Sequence, residues 1–148
     1  MEPLYMSDKR YDEISARVRK SYPNACILFI DELHNPFLED EQDKFNGKEK
    51  KQLFHGTPEG NINSICRNGF RCELNVRSAY GKGTYFSEFA SYSINYATSK
   101  DDIVYMFLCD VIVDSQHTRT VGNGIYVVNH DYGGIPKFLI AFYPKAVN

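Results

Sequence analysis

The sequence predicts an α+β fold with a mainly antiparallel sheet flanked by helices. Helical patterns predominate early in the chain and strand patterns late, and the two do not alternate regularly as they would around a parallel sheet. A chain of 148 residues, of which 43% are hydrophobic, can bury the core of one domain. We therefore expect residues 1–148 to form a single domain.

Start and stop signals mark three helices in the first half of the chain. Ser7-Asp8 can cap a first helix, in which apolar residues recur at helical spacing as far as Tyr22. Asn35, with a proline directly after it, predicts the start of a second, mostly charged helix. A third helix is expected to begin after Thr57-Pro58 and to end at Asn68-Gly69.

Runs rich in branched and aromatic residues predict the strands. The run from Ile103 to Val113 is the longest, so we expect it to be the central strand. A fourth helix is expected at Glu88–Ser99, and surface loops at Arg71–Ala79 and Asp114–Gly124. The predicted strands are residues 25–30, 51–54, 84–86, 103–113, 125–128 and 138–142.

Composition excludes several classes of protein. The net charge of -2 gives no basic field for nucleic acid, and no apolar run is long enough to span a membrane. The N-terminus lacks the pattern of a signal peptide. The cysteines form no Cys-x-x-Cys pair, so we expect no metal site and free thiols in a reducing compartment, cytoplasmic or nuclear. These cysteines are Cys26, Cys66, Cys72 and Cys109.

One stretch, residues 55–96, offers what a protein needs to hold a planar ring that carries an amide. His55 stands beside Gly56, and glycine lets a ligand approach the backbone N–H and C=O groups closely. A primary carboxamide presents the complementary acceptor and donor. Tyr85 and Tyr96 can supply aromatic faces. Taken alone, however, such a histidine is more often structural, and each tyrosine is more often a core aromatic.

Other chemistries fit the same stretch less well. Residues 81–84, Gly-Lys-Gly-Thr, lack the upstream glycine of a phosphate loop and precede a strand pattern instead of a helix. No serine lies in a nucleophile elbow, and no cysteine stands in a reactive context. The acidic residues Glu59, Glu73 and Glu88 look like surface or cap positions, so paired catalytic carboxylates are not predicted.

A specific ordered set of motifs covers nearly the whole chain. The motifs are Gln52–Thr57, Arg67–Phe70, Ala79–Phe86, Tyr92-Ser93, Asp131-Tyr132, Pro136 and Leu139-Ile140. In this combination the sequence resembles the catalytic domain of the poly(ADP-ribose) polymerase family, and it is similar to the mono-ADP-ribosyltransferase branch that includes the macrodomain-bearing members. The resemblance implies an ADP-ribosyltransferase-like fold with a split sheet, here without the helical regulatory domain of the DNA-dependent members.

The resemblance also implies an activity, the transfer of ADP-ribose from NAD to an acceptor with release of nicotinamide. His55 would hydrogen-bond the ribose on the nicotinamide side and help anchor the adenosine end. The backbone of Gly56 would pair with the carboxamide, to which Ser93 would add its hydroxyl. Tyr96 would stack on the nicotinamide ring, and Tyr85 would close its other face.

Ile125 stands at the third catalytic position, after His55 and Tyr85, where chain-elongating members of the family have a glutamate. An isoleucine cannot act as a base, so the sequence resembles the members that transfer one unit only. Tyr80 and Phe86 complete the set of NAD-binding residues that the resemblance implies.

Three hypotheses remain open. The first is a mono-ADP-ribosyltransferase acting on a protein acceptor, which can be the protein itself. The second is a catalytically weak or inactive NAD-site or protein-interaction module of the same fold. The third is another NAD-using relative such as a tRNA 2′-phosphotransferase, which would want more basic residues than this chain has. For the first hypothesis we expect a monomer with no dependence on DNA and no membrane attachment.

Overall fold

An antiparallel sheet of eight strands forms the centre of the protein. The computed structural model describes residues 1–45, 48–71, 82–97, 101–114, 116 and 118–145. The strands are β1 (Glu2–Pro3), β2 (Cys26–Glu32), β3 (Glu49–Gly56), β4 (Thr84–Ser87), β5 (Val104–Val113), β6 (Thr118–Thr120), β7 (Ile125–Val128) and β8 (Gly134–Tyr143). They lie in the order β1-β2-β8-β5-β3-β4-β7-β6, which confirms the predicted antiparallel sheet.

Short helices flank this sheet. They are α1 (Lys9–Ser21), α2 (Pro36–Asp43), α3 (Ile62–Asn68) and α4 (Ala90–Ser93), with 3-10 turns at Glu59–Asn61 and Ile94–Tyr96. The Asp8 carboxylate accepts a hydrogen bond from the backbone N–H of Arg10 at 2.9 Å, and the Asn35 side chain accepts one from Leu38. Both predicted helix starts are therefore confirmed, each with its capping side chain.

The central strand β5 separates two hydrophobic clusters. Its side chains alternate between the faces of the sheet, so Met106 and Leu108 join one cluster while Phe107 and Cys109 join the other. Helices α1 and α4 contribute buried residues to the first cluster, and α3 contributes to the second. The prediction that β5 is central and that helices flank the sheet is confirmed.

The sheet is split between β3 and β4. These two strands pair only at Phe54 and Ser87, whereas β3 pairs with β5 along its whole length. Five strands lie on one side of this seam, and β4, β7 and β6 lie on the other. In the described part of the chain no strand pairs with the β4-facing edge of β3 between Glu49 and Leu53.

Several predicted boundaries were wrong. The helix predicted at Glu88–Ser99 begins only at Ala90, because the Ser87 hydroxyl accepts a hydrogen bond from the N–H of Phe89 and turns the chain first. The loop predicted at Asp114–Gly124 contains β6, which pairs with β7 at the edge of the sheet. The last strand begins at Gly134, four residues earlier than predicted.

Two further predictions fall where the structure is not described. The predicted surface loop at Arg71–Ala79 lies, apart from Arg71, outside the described residues, and so does Tyr80. Among the described residues, no helix is long and apolar enough to cross a bilayer.

Candidate active site

His55 lies near the end of β3 with its ring turned towards β4. Its Nδ1 lies 2.8 Å from the backbone oxygen of Tyr85. A carbonyl oxygen can only accept, so Nδ1 carries the proton and Nε2 carries the lone pair. The ring packs against Phe70, with centroids 4.5 Å apart, and against Phe86, with centroids 5.4 Å apart. These contacts fix both the orientation and the tautomer of the imidazole.

The His55 ring is neutral at physiological pH. Burial lowers its pKa to about 4, since the charged form would lose its hydration, and the hydrogen bond to Tyr85 opposes this only weakly. A neutral ring with a free lone pair at Nε2 can accept a hydrogen bond from a sugar hydroxyl. It supplies no positive charge to the site.

Gly56 ends β3 directly against the backbone of α4. A β-carbon at this position would lie 1.8 Å from the carbonyl oxygen of Ser93, so no larger residue fits. The Ser93 hydroxyl is buried and donates to the backbone oxygen of Phe54 at 3.1 Å. A glycine here was predicted to allow the close approach of a ligand, and the close approach of α4 is a second reason for it.

Tyr85 and Tyr96 form an aromatic pair beside Gly56. Their ring centroids lie 6.2 Å apart and the rings are tilted by 57°. Tyr85 is buried in β4, and Tyr96 ends the 3-10 turn that follows α4. The hydroxyls of Tyr92 and Tyr96 lie 3.0 Å apart, which holds the outer ring in place. The two tyrosines predicted to enclose a planar ring are thus brought together.

Ile125 is the first residue of β7 and pairs with Ser87 of β4. Residues two apart on a strand share a face, as do residues directly opposite on neighbouring strands, so Ile125 lies on the same face as Tyr85. Only 4% of Ile125 is exposed, and it carries no polar atom in its side chain. At this position of the site there is no acid or base.

Phe86 faces the opposite side of β4 from Tyr85, and it is fully buried beneath His55 and Phe70. It was predicted to bind NAD, but in the structure it supports the histidine from below. The site therefore straddles the sheet. Gly56, Ser93, Tyr85, Tyr96 and Ile125 lie towards α4, whereas the His55 ring lies towards α3.

On the α3 side of His55 lies an open cleft of about 300 Å³. Asn61 donates a side-chain hydrogen bond to the hydroxyl of Thr57 at 3.4 Å. Hydroxyl, amide and guanidinium groups suit the many acceptors and donors of a nucleotide sugar. The polar residues that line this cleft are His55, Thr57, Asn61, Ser64, Arg71 and Thr84.

Sequence reasoning missed this cleft, although a signal was present. Asn61, directly before α3, and Ser64, within it, stand three residues apart and are exposed, whereas Ile62 and Ile65 are buried. A polar face directly after His55 could have indicated a second part of the site. Among the described residues, no group of three or more His, Cys, Asp or Glu side chains is placed to hold a metal ion.

Comparison with known proteins identifies the family of this chain. The model of the poly(ADP-ribose) polymerase catalytic domain family matches residues 9–119, a stretch that includes His55, Tyr85 and Tyr96 but ends before Ile125. The protein mono-ADP-ribosyltransferase PARP14 of Homo sapiens is 34% identical over 178 positions, which cover 94% of this chain and 10% of that protein.

Two further relatives carry the name protein mono-ADP-ribosyltransferase PARP12. The one from Mus musculus is 42% identical over 123 positions, covering 74% of this chain and 17% of its own length. The one from Homo sapiens is 30% identical over 158 positions, covering 98% of this chain and 22% of its own length. The chain spans less than a quarter of each of these curated relatives. The family match over most of its length shows that this chain belongs to the poly(ADP-ribose) polymerase catalytic domain family.

Proposed function

We propose that this domain is a mono-ADP-ribosyltransferase that moves one ADP-ribose unit from NAD to a protein acceptor and releases nicotinamide. The observation that carries the proposal is the arrangement at the end of β3. There Gly56 and Ser93 stand in contact beside the tyrosine pair, and the neutral His55 lies on the other side. Family membership and the names of the relatives support the same activity.

Nicotinamide binds at Gly56 in this proposal. The backbone of Gly56 pairs with the carboxamide, and the Ser93 hydroxyl adds one more hydrogen bond. Because Ser93 already donates its proton to Phe54, its oxygen is available to accept from the carboxamide NH₂. Together these hydrogen bonds fix the rotation of the ring and hold the leaving group in one orientation.

The nicotinamide ring then lies between Tyr85 and Tyr96. A planar ring stacked on both sides needs roughly 7 Å between its neighbours, twice the contact distance of about 3.5 Å. The two tyrosine rings are 6.2 Å apart and tilted, so they must turn towards a parallel arrangement as the ligand enters. Tyr96 is the more exposed of the two and lies at the end of a 3-10 turn, so it is the ring that moves.

The rest of NAD extends past His55. Nε2 of His55 accepts a hydrogen bond from the ribose on the nicotinamide side. Nε2 can accept because the proton of the neutral ring is on Nδ1. The adenosine end occupies the polar cleft beyond Thr57 and Asn61. In this way the histidine connects the two parts of the site across the sheet.

The reaction replaces one bond to the ribose carbon by another. The bond from C1 of the ribose to the ring nitrogen breaks, and its electron pair leaves with nicotinamide, which becomes neutral. An acceptor oxygen forms the new bond to the same carbon and gives any proton that it carried to the solvent. Ile125 cannot accept that proton. A carboxylate is therefore the best acceptor, because it is already deprotonated and needs no general base.

The protein acts as a monomer inside the cell, in the cytoplasm or the nucleus, without DNA and away from membranes. Support comes from the slight negative charge, which gives no basic field for DNA. The thiols of Cys26, Cys66 and Cys109 are free, as a reducing compartment would keep them. Residues 1–148 form one catalytic domain in this proposal.

The direct test is incubation with isotopically labelled NAD, followed by mass spectrometry of the products. We expect nicotinamide release and the mass of one ADP-ribose on the acceptor or on the protein itself. His55→Ala should abolish most transfer and most NAD hydrolysis, whereas the matched control His34→Ala, at an exposed histidine, should keep both. A folded His55→Ala protein with full turnover would place the site elsewhere. Binding of NAD without transfer would favour the inactive-module hypothesis.

A further inference from the structure

A second cleft opens where the two halves of the sheet separate. Past the pair Phe54–Ser87, strands β3 and β4 diverge, and the space between them and α1 forms a cleft of about 420 Å³. This cleft, which we call the fork, does not touch the NAD site described above. Its lining includes Arg17, Lys20, Lys51, Gln52, Glu88 and Phe89.

Arg17 forms the inner wall of the fork and makes no close ion pair with a described residue, although the Glu88 carboxylate is near enough to favour its charge. Its guanidinium lies 5.0 Å from the centre of the buried Phe54 ring, and it donates to the backbone oxygen of Glu88 at 3.4 Å. Within the described residues no carboxylate lies within 4.0 Å of it. Burial lowers the pKa of Arg17, which shows a cation partly withdrawn from water. A guanidinium in this state favours a carboxylate or phosphate ligand.

Among the described residues, Glu88 is the single carboxylate that lines the fork, and it already has partners. Glu88 accepts a hydrogen bond from the Tyr126 hydroxyl at 3.1 Å and forms an ion pair with Lys51 at 3.7 Å. Lys20 is exposed, and its ammonium group lies 5.8 Å from the centre of the Phe89 ring. The fork therefore carries an excess of positive charge in a chain whose net charge is -2.

The backbone of the fork is suited to an extended peptide. No strand pairs with the β4-facing edge of β3 between Glu49 and Leu53 in the described structure. Such an edge offers a row of N–H and C=O groups to which an extended segment can add. The partly exposed ring of Phe89 lies beside it. A nucleic acid would use the cations but not this edge.

We propose that the fork docks an extended, acidic segment of the acceptor protein, with a carboxylate on Arg17 and the segment's backbone along β3. The inference rests on the proposed function for the identity of the docked protein. The fork also lies next to the catalytic face, because the N–H of Glu88 donates to Gly124 O at 2.9 Å, directly before Ile125. A segment held there would bring neighbouring residues of its protein towards the ribose.

Peptide binding in the absence of NAD tests the dock directly. The probe is a fluorescein-labelled peptide of eight residues, alternating glutamate and threonine, and its control has glutamine in place of glutamate. We expect Arg17→Gln to weaken binding of the acidic peptide about ten-fold and Lys20→Gln about three-fold. The matched control Lys9→Gln removes the same charge from the far end of α1 and should change nothing.

The proposal is overturned if the acidic peptide binds no better than its glutamine control, or if Arg17→Gln binds it as the natural protein does. If Arg17→Gln fails to fold, Lys20→Glu at an exposed position replaces it in the test. We expect Lys20→Glu to weaken binding of the acidic peptide about ten-fold. A single-stranded RNA of eight nucleotides that binds more tightly than the peptide, and loses affinity in Arg17→Gln, would also overturn it.

Backbone pairing is tested on the peptide. Two forms are N-methylated, one at every glutamate and the other at every threonine. In a strand alternate N–H groups point to one neighbour, so one form should lose at least about five-fold more affinity than the other. Equal losses would overturn the pairing along β3. Hydrolysis of NAD by the natural protein without peptide tests the proposed function separately.

Discussion

Nδ1 of His55 donates a hydrogen bond to the backbone oxygen of Tyr85 over 2.8 Å, and this bond crosses the seam between the halves of the sheet. His55 belongs to β3, on the five-strand side, and Tyr85 belongs to β4, on the three-strand side. The bond lies one residue beyond the pair Phe54–Ser87 that joins the strands. Protonation of His55 would leave this bond in place, so the cost of protonation comes from burial.

Stability should therefore fall as the pH falls from about 6.5 to 4. The folded pKa of His55 is about 4 and that of the unfolded chain about 6.5, so the unfolded state takes up the proton first. The loss over this window is at most about 3 kcal/mol, because the ring is only half-buried and borders an open cleft, and it is nearly complete at pH 4. Urea unfolding across this range measures it.

His55→Asn is the matching variant, because its amide can still donate to Tyr85. We expect this variant to lose little stability between pH 6.5 and 4, whereas the exposed His34→Asn should follow the natural protein. The same pH dependence in His55→Asn and the natural protein would show that other groups cause it.

Gly56→Ala should destabilise the fold by at least about 3 kcal/mol, because its β-carbon would overlap the Ser93 carbonyl and neither backbone can easily move. The same variant should also bind nicotinamide more weakly than the natural protein. The control is Gly60→Ala, where a β-carbon meets no atom within 4 Å and where the change should stay below about 1 kcal/mol. Equal unfolding midpoints for the two variants would contradict the contact between Gly56 and Ser93.

Tyr96→Ala should weaken binding of NAD and of nicotinamide-like amides by roughly 1–3 kcal/mol, since the stacking face is lost while the fold remains. Tyr96→Phe keeps the ring and removes the contact with the Tyr92 hydroxyl, so its loss should stay below about 1 kcal/mol. Titration calorimetry measures both. Unchanged affinity in a folded Tyr96→Ala protein would refute the assignment of Tyr96.

The product should carry one ADP-ribose at each modified site. Polymer growth needs a ribose hydroxyl as nucleophile, and a base that accepts its proton is typically worth about 10²–10⁴-fold in rate. Ile125 offers no acceptor, so a second addition should be too slow to compete. Gel analysis of the modified protein should show one sharp shift, and a ladder from the natural sequence would refute this.

Ile125→Glu alone should not create a polymerase. Position 125 is buried, so a carboxyl there would remain largely protonated and could not serve as a base. The connection from β5 to β7 is also short and partly used by β6, which leaves little surface for an incoming chain. A ladder from Ile125→Glu on the same gel, with Ile125→Val as the folded control, would contradict this prediction.

Local signals in the sequence predicted the helix starts, because the capping side chains of Asp8 and Asn35 act within three residues of their own position. They failed for the start of β8, which was predicted at Phe138 and lies at Gly134. Pro136 is accommodated because the register between β5 and β8 shifts between Leu108 and Cys109. Such a shift depends on the partner strand and leaves no trace in the local sequence.

The candidate site likewise has features that the sequence could predict and features that it could not. The proximity of His55, Tyr85 and Tyr96 could be predicted because their motifs are specific in combination, and their role in NAD binding stays a prediction. The contact of Gly56 with Ser93 could not, since the two are far apart in sequence and meet only when α4 packs on β3. The three polypeptide segments that line the fork are also distant in sequence, so a charge count could not reveal the cluster around Arg17.

We expect the seam at Phe54–Ser87 to divide the domain into two units of local unfolding. Only one pair of strand residues joins β4, β7 and β6 to the five-strand half, and the His55–Tyr85 hydrogen bond and the packing of Phe86 are further links across the seam, so the smaller unit should open at a lower free energy than the larger. The proposed site residues are divided between these units, with His55 and Gly56 on one and Tyr85 and Ile125 on the other. A bound NAD that touches both acts as a cross-link, and amide hydrogens of β4 and β7 should then exchange more slowly than those of β5, which pairs on both edges already.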